Sequence, residues 1–183
     1  MKSFLLIVAI SLAAMTTTHA QTYITKNGKI SFFSKTAMEN IEAVNNQVVS
    51  VLNAKTGVMQ FSVQIAGFIF KKALMQEHFN GSDYMESDKY PKASFKGTIT
   101  DISKVNFTKD GSYTISITGD LMVHGATNKV TVPGTISVTG GKVNATTTFN
   151  ILLADYKINV PKMAQNNISK SIEIKVDCAY QPK

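Results

Sequence analysis

The sequence contains no arginine and only one cysteine, and each scarcity removes a class of function. Proteins that read nucleic-acid sequence lean on the bidentate guanidinium fork, which a lysine ammonium cannot reproduce. The lysines here are also scattered along the chain instead of clustered, so nucleic acid is not an expected partner. Cys178 has no second thiol to pair with, and no disulfide framework holds the fold. It stands two residues after Val176 in an alternating run, the place of a small buried hydrophobe. Histidine is also scarce. Beyond residue 20 only His78 and His124 remain, and neither has a Cys, His or carboxylate at ligand spacing apart from the adjacent Glu77. A metal site needs three or four convergent ligands, so none is expected. No G-x-S-x-G elbow, P-loop or G-x-G-x-x-G occurs, and no cofactor is called for. Glu86 and Asp88 lie two apart, and the plain reading is a pair of solvated loop acids.

What is present begins with an export pattern. Met1-Lys2-Ser3 brings a positive charge, Phe4 to Ala14 an apolar run, and Thr18-His19-Ala20 a small-residue exit before Gln21. Together they read as a secretory signal peptide over residues 1–20 with cleavage near Ala20. An apolar run of about a dozen residues falls short of the roughly 20 that span a bilayer. The expected mature chain, residues 21–183, is one domain in a periplasmic or secreted location, long enough to bury a core of its own. With Lys2 set aside, 18 lysines stand against 12 carboxylates, a net charge of +6. Lysines that solvate outer strand faces and blunt sheet edges account for most of this. Transient contact with a membrane surface or with a phosphate-bearing ligand is the functional counterpart.

From Tyr23 onward the apolar residues alternate. Met59, Phe61, Val63 and Ile65 fall on one face and Gln60, Ser62 and Gln64 on the other, as in a strand between an apolar interior and water. The same alternation recurs in Lys92 to Ile102, Ser112 to Val123, Asn128 to Val138, Lys142 to Asn150 and Ser169 to Ala179. Asn27-Gly28 carries a two-residue hairpin signal, and Ala54-Lys55-Thr56-Gly57 and Lys109-Asp110-Gly111 mark further turns. Pro133-Gly134 implies a bulge or an edge position. Thr36-Ala37-Met38-Glu39 matches a capping box that could start a short helix with Met38, Ile41 and Val44 inward. The other helical candidate is Lys71 to Gly81, where Leu74/His78 and Met75/Phe79 pair at i,i+4 and Asn80-Gly81 suggests a left-handed end.

About eight long antiparallel strands with one short helical segment fit an all-β barrel or a sandwich, and closure is favoured because it abolishes sheet edges. The helical segment is then the natural lid on one end. Inward-facing Phe61, Val63, Ile65, Phe95, Ile117, Leu121, Phe149 and Ile174 would line the interior, with Leu74, Met75 and Phe79 closing it from the cap. Gly67, Gly97, Gly119 and Ala145 would leave room where a packed core places bulk. A filled interior, belonging to an exported stress or interaction protein without a ligand, is the alternative. An enzyme acting on an apolar substrate is a further one, with His78, Glu86 and Asp120 the inward-plausible polar residues.

Two stretches carry a family resemblance. Tyr84-Met85-Glu86-Ser87-Asp88-Lys89-Tyr90-Pro91-Lys92-Ala93-Ser94-Phe95-Lys96-Gly97 and Gly119-Asp120-Leu121-Met122-Val123-His124-Gly125-Ala126-Thr127-Asn128-Lys129-Val130 resemble the YceI-like family of exported, lipocalin-like bacterial proteins. The resemblance implies an eight-stranded antiparallel lipocalin-like barrel with a short helical cap. It also implies an elongated interior that binds a polyisoprenoid or an isoprenoid quinone. A long isoprenoid gains about 0.8 kcal/mol per CH₂ on leaving water but almost nothing on leaving a membrane, so a reversible carrier or scavenger that needs no reaction is expected. The chain departs from the family at the barrel mouth. Lys71-Lys72 and Leu153-Ala154-Asp155 stand where arginine is frequent, and Tyr156-Lys157 where glycine often follows the aromatic residue. No polar head group is therefore carried over.

Overall fold

The computed structural model describes residues 22–183, and the leader expected over residues 1–20 lies outside them. Alternation becomes strand almost throughout: β1 (Thr22–Lys35), β2 (Asn40–Asn53), β3 (Val58–Gln64), β4 (Ile69–Phe70), β5 (Lys92–Ile99), β6 (Gly111–Val123), β7 (Ala126–Thr139), β8 (Lys142–Leu152) and β9 (Ser171–Pro182). The eight long strands follow one another antiparallel around the sheet, and β9 returns to pair with β1. The result is a closed up-and-down barrel. β4 is a two-residue fragment that takes up pairing with β2 at Ala43 and Val44, above the point where β3 has left it.

The single α-helix among the described residues, α1 (Ala73–Asn80), lies within the segment whose spacing is helical. Its end differs from expectation. Gly81 has φ −71° and ψ 174°, extended and not left-handed, and its N–H donates to the carbonyls of Glu77 and His78. The left-handed residue comes later, at Glu86 with φ 41°, where the chain folds back so that the Met85 and Ser87 N–H groups reach the carbonyls of Phe79 and Asn80.

Two turn expectations give way to the sheet. Thr36 to Glu39 form a tight β1–β2 turn and no helix: Thr36 Oγ1 accepts from the N–H groups of Met38 and Glu39. The capping side chain is used, but Lys35 already pairs with Asn40, leaving four residues to reverse the chain and no length for a helical turn. Met38 is accordingly 73% exposed, and only Ile41 of the three residues expected inward reaches the interior. Asn27-Gly28 is a bulge inside β1 and makes no hairpin, with register shifts on both sides of Gly28. A Cβ on Gly28 would stand 2.6 Å from Cys178 Sγ, so the bulge lets β1 pass close over that buried thiol.

The two barrel ends differ. At the end holding Thr22 and Lys183, Tyr23, Leu52, Ile99, Ile136, Val138, Val143 and Cys178 are buried, and the Tyr23 ring stacks on Phe107 at 5.5 Å. Tyr180 completes this floor: its hydroxyl lies 2.7 Å from Ser50 Oγ, which in turn donates to the Gln60 carbonyl. At the opposite end gather the β1–β2 turn, α1, the β6–β7 turn and the β8–β9 connection. There the interior is hollow.

Candidate functional site: a capped apolar cavity

The hollow is a cavity of about 370 Å³. Strand period alone fixes most of its wall. Phe61, Val63 and Ile65 enter from β3 and its continuation, Phe95 from β5, Ile117 and Leu121 from β6, Phe149 from β8 and Ile174 from β9. All eight residues expected to line the barrel therefore face the cavity. From the cap, Met75 and Phe79 do the same.

Leu74 does not: it is 61% exposed and outside the cavity wall. A helix of two turns can present only one face, and here that face is set by Phe79. Its ring sits 5.0 Å from Phe70, 5.4 Å from Phe32 and 5.8 Å from Phe68. The rotation that seats Phe79 in this cluster carries Leu74 to the solvent side. Phe32, Phe68 and Phe70 were not singled out from sequence. Phe32 is adjacent to Phe33, which blurs the alternation, and Phe68 and Phe70 follow the interruption at Ile65–Gly67.

The glycines also act differently from expectation. Gly97 and Gly119 pair directly between β5 and β6, and the Phe95 ring lies over both: a Cβ on Gly119 would stand 2.8 Å from Phe95 Cζ. The space they spare is filled by an aromatic ring and adds nothing to the hollow. Gly67 packs on Asn45, whose Nδ2 lies 2.6 Å from where its Cβ would be, so it too leaves no room inside. Ala145 does line the cavity.

Polar groups reach the cavity mainly at its capped rim, where Ser34, Glu39, His78, Tyr84 and Asn167 stand. Glu39 joins three segments there. Its Oε1 lies 3.4 Å from Lys72 Nζ beside α1, and its Oε2 accepts from Asn167 Nδ2 in the β8–β9 connection. The three candidate catalytic residues do not converge. His78 is exposed on α1, Asp120 faces outward opposite Lys129, and Glu86 lies outside the wall beside Lys89 and His124. Among the described residues, no group of three or more His, Cys, Asp or Glu could hold a metal ion.

A barrel closed by a strand meander, hollow above and packed below, now has its relatives. The model of the YceI-like domain matches residues 9–180. The chain belongs to the YceI-like family. Among curated relatives, a UPF0312 protein of Pseudomonas putida strain GB-1 is 29% identical over 132 residues, 67% of this chain and 64% of that protein; the match thus spans less than two thirds of the relative's length. Among solved structures, a polyisoprenoid binding domain from Saccharophagus degradans superposes with a TM-score of 0.77 at 10% identity, covering 90% of this chain and all of that one. BcnA of Burkholderia cenocepacia gives 0.71 at 19% identity over 84% of this chain and 96% of its own. At such identities these likenesses establish the fold. The capped cavity is the apolar hollow this fold encloses among the described residues.

Proposed function

We propose that this YceI-like protein is an exported carrier or scavenger that holds an apolar lipid, a polyisoprenoid or isoprenoid quinone, in its upper barrel. The observation that carries the reading is the cavity itself: about 370 Å³ with an almost wholly hydrocarbon wall and most of its polar residues gathered at one rim. A wall of this kind recognises an apolar chain by shape and burial alone. The structural likeness to a polyisoprenoid binding domain favours a prenyl chain over other lipids. Burial contributes about 0.8 kcal/mol per CH₂ relative to water and almost nothing relative to a bilayer. Such a protein therefore exchanges its ligand reversibly with membranes and needs no reaction. Export rests on the charge at Lys2, the apolar run Phe4–Ala14 and the exit at Ala20.

The test is mild lipid extraction of protein purified from its native host, followed by mass spectrometry, with N-terminal sequencing of the same sample. A copurifying isoprenoid and a start near Gln21 are expected. Phe61→Asp should abolish retention of a fluorescent farnesyl alcohol analogue, while His78→Ala leaves it intact. A protein that carries no lipid and takes up no probe would overturn the carrier reading.

A further inference from the structure

The barrel wall is not uniformly sealed. β6 and β7 pair along their whole lengths, from Gly111↔Val138 to Val123↔Ala126, and β8 pairs with β9 from Val143 to Leu152. Between β7 and β8, however, the ladder runs only from Thr139↔Lys142 to Thr135↔Thr146. Above it, Ala126–Gly134 of β7 and Thr147–Leu152 of β8 are each laddered on one side only. Pro133 stands where the ladder stops, and it has no N–H with which to continue it.

Two side-chain bonds bracket the parting. Thr147 Oγ1 donates to the Pro133 carbonyl at 2.6 Å below, and Asn128 Nδ2 donates to the Asp155 carbonyl at 2.7 Å above. Extending the register upward sets Val132 opposite Phe149 and Val130 opposite Ile151, and all four side chains belong to the cavity wall. Leu152, half exposed, stands at the outer lip. The cavity thus continues sideways into a strip with apolar edges. We propose that the parted upper edges of β7 and β8 form a side passage through which an apolar chain enters and leaves, while the cap stays in place.

Two costs favour this route over the capped end. Lifting α1 draws Phe79 out of contact with Phe32, Phe68 and Phe70 and uncovers Met85, which is 6% exposed. It also breaks the backbone bonds that hold Met85 and Ser87 to the end of the helix. Widening the parting breaks no β7–β8 ladder bond, since that ladder ends at Thr135. The cap is a fixed wall and the side strip is the door. The inference rests on the reading that the cavity holds an apolar chain.

The experiment closes the strip from outside. Thr131→Cys with Asn150→Cys places two thiols opposite each other on the extended register, on exposed residues that do not touch the cavity. The native Cys178 is fully buried and does not compete. Ser137→Cys with Asn144→Cys, paired lower on the same two strands, is the control. The readouts are equilibrium binding of the farnesyl alcohol analogue and its exchange rate with phosphatidylcholine vesicles. The expected result is exchange at least about tenfold slower on oxidation of the upper pair, restored by reductant, with no such change in the control. If oxidation does not join the upper pair, a longer bis-maleimide bridge provides the same readout. Unchanged exchange in the bridged protein, with the probe still bound, overturns the passage and leaves the carrier reading standing. A reduced protein that never binds the probe overturns the carrier reading itself.

Discussion

His124 presents both ring nitrogens to acceptors: Nδ1 lies 3.2 Å from the Tyr156 carbonyl oxygen and Nε2 3.6 Å from Glu86 Oε1. The second distance is longer than a hydrogen bond, and Nε2 is buried without a partner. The Tyr90 ring packs edge-on against the imidazole at 4.5 Å. One side chain from the β6–β7 turn therefore holds the loop after α1 and the β8–β9 connection together. His124→Ala should destabilise the fold by about 1–3 kcal/mol. His124→Asn should recover only part of this, because asparagine tolerates the left-handed φ of 50° but lacks the ring. Urea unfolding, with hydrogen exchange read at Glu86 to Tyr90, checks both; a His124→Ala protein as stable as the parent would show that the ring joins nothing.

Stability should fall in alkali, for a reason located in the floor. Burial, with a smaller contribution from the Asp177 charge, pushes the Cys178 thiol up to about 12, and burial raises the Tyr180 phenol as well. Both groups keep their protons in the folded protein at pH values where the unfolded chain releases them. Their contribution is complete below the thiol's ordinary value of 9.0 and is lost as pH climbs toward about 12. The slope approaches about 1.4 kcal/mol per pH unit for each such proton. Chemical unfolding at about pH 8 and about pH 11 measures it. Cys178→Ala should be flatter across that range; parallel slopes would exclude the thiol.

A methyl on Gly119 would meet the Gly97 Cα and the Lys96 carbonyl oxygen, both backbone of the neighbouring strand. Gly119→Ala should therefore cost about 2–3 kcal/mol through overpacking. Adding Phe95→Ala should fail to restore it, because the obstructing atoms are not the ring. Restoration by the second change, seen as a recovered melting temperature, would place the conflict in the aromatic side chain instead.

The two faces of α1 should separate cleanly. Leu74→Ala is expected to change stability by less than about 0.5 kcal/mol and leave probe retention as it was. Phe79→Ala removes the centre of a four-ring cluster and should cost about 2–3 kcal/mol, below the full range for a Phe because the ring is only partly buried. Thermal unfolding of the pair of variants decides this. Equal effects would mean that the cluster does not hold the helix.

Strand faces were legible because a period of two leaves one choice per strand, and all eight residues that alternation puts inside border the cavity. Leu74 was not legible. In a helix this short, i,i+4 pairing marks two candidate stripes, and rings from distant β1 and β4 choose between them. The glycine pair was visible as missing volume, but only the fold shows that the Phe95 ring takes it up. Glu86 and His124 are 38 positions apart, and nothing local predicts that two left-handed residues bring them together. Pro133 did announce an edge. Above the parting Asn128 reaches the Asp155 carbonyl across 27 positions, a bond no spacing rule encodes.

The N–H of Lys183 donates to the carbonyl of Thr22 at 2.9 Å, so the described chain starts and finishes at the same point, under the packed floor. A tether, tag or fused partner joined at Thr22 or at Lys183 would sit at the far pole from the aromatic cap and clear of the β7–β8 strip. Held on a surface by that end, the molecule would stand with its cap turned outward and the β7–β8 strip raised on its flank, free to meet a second membrane or a second protein alongside.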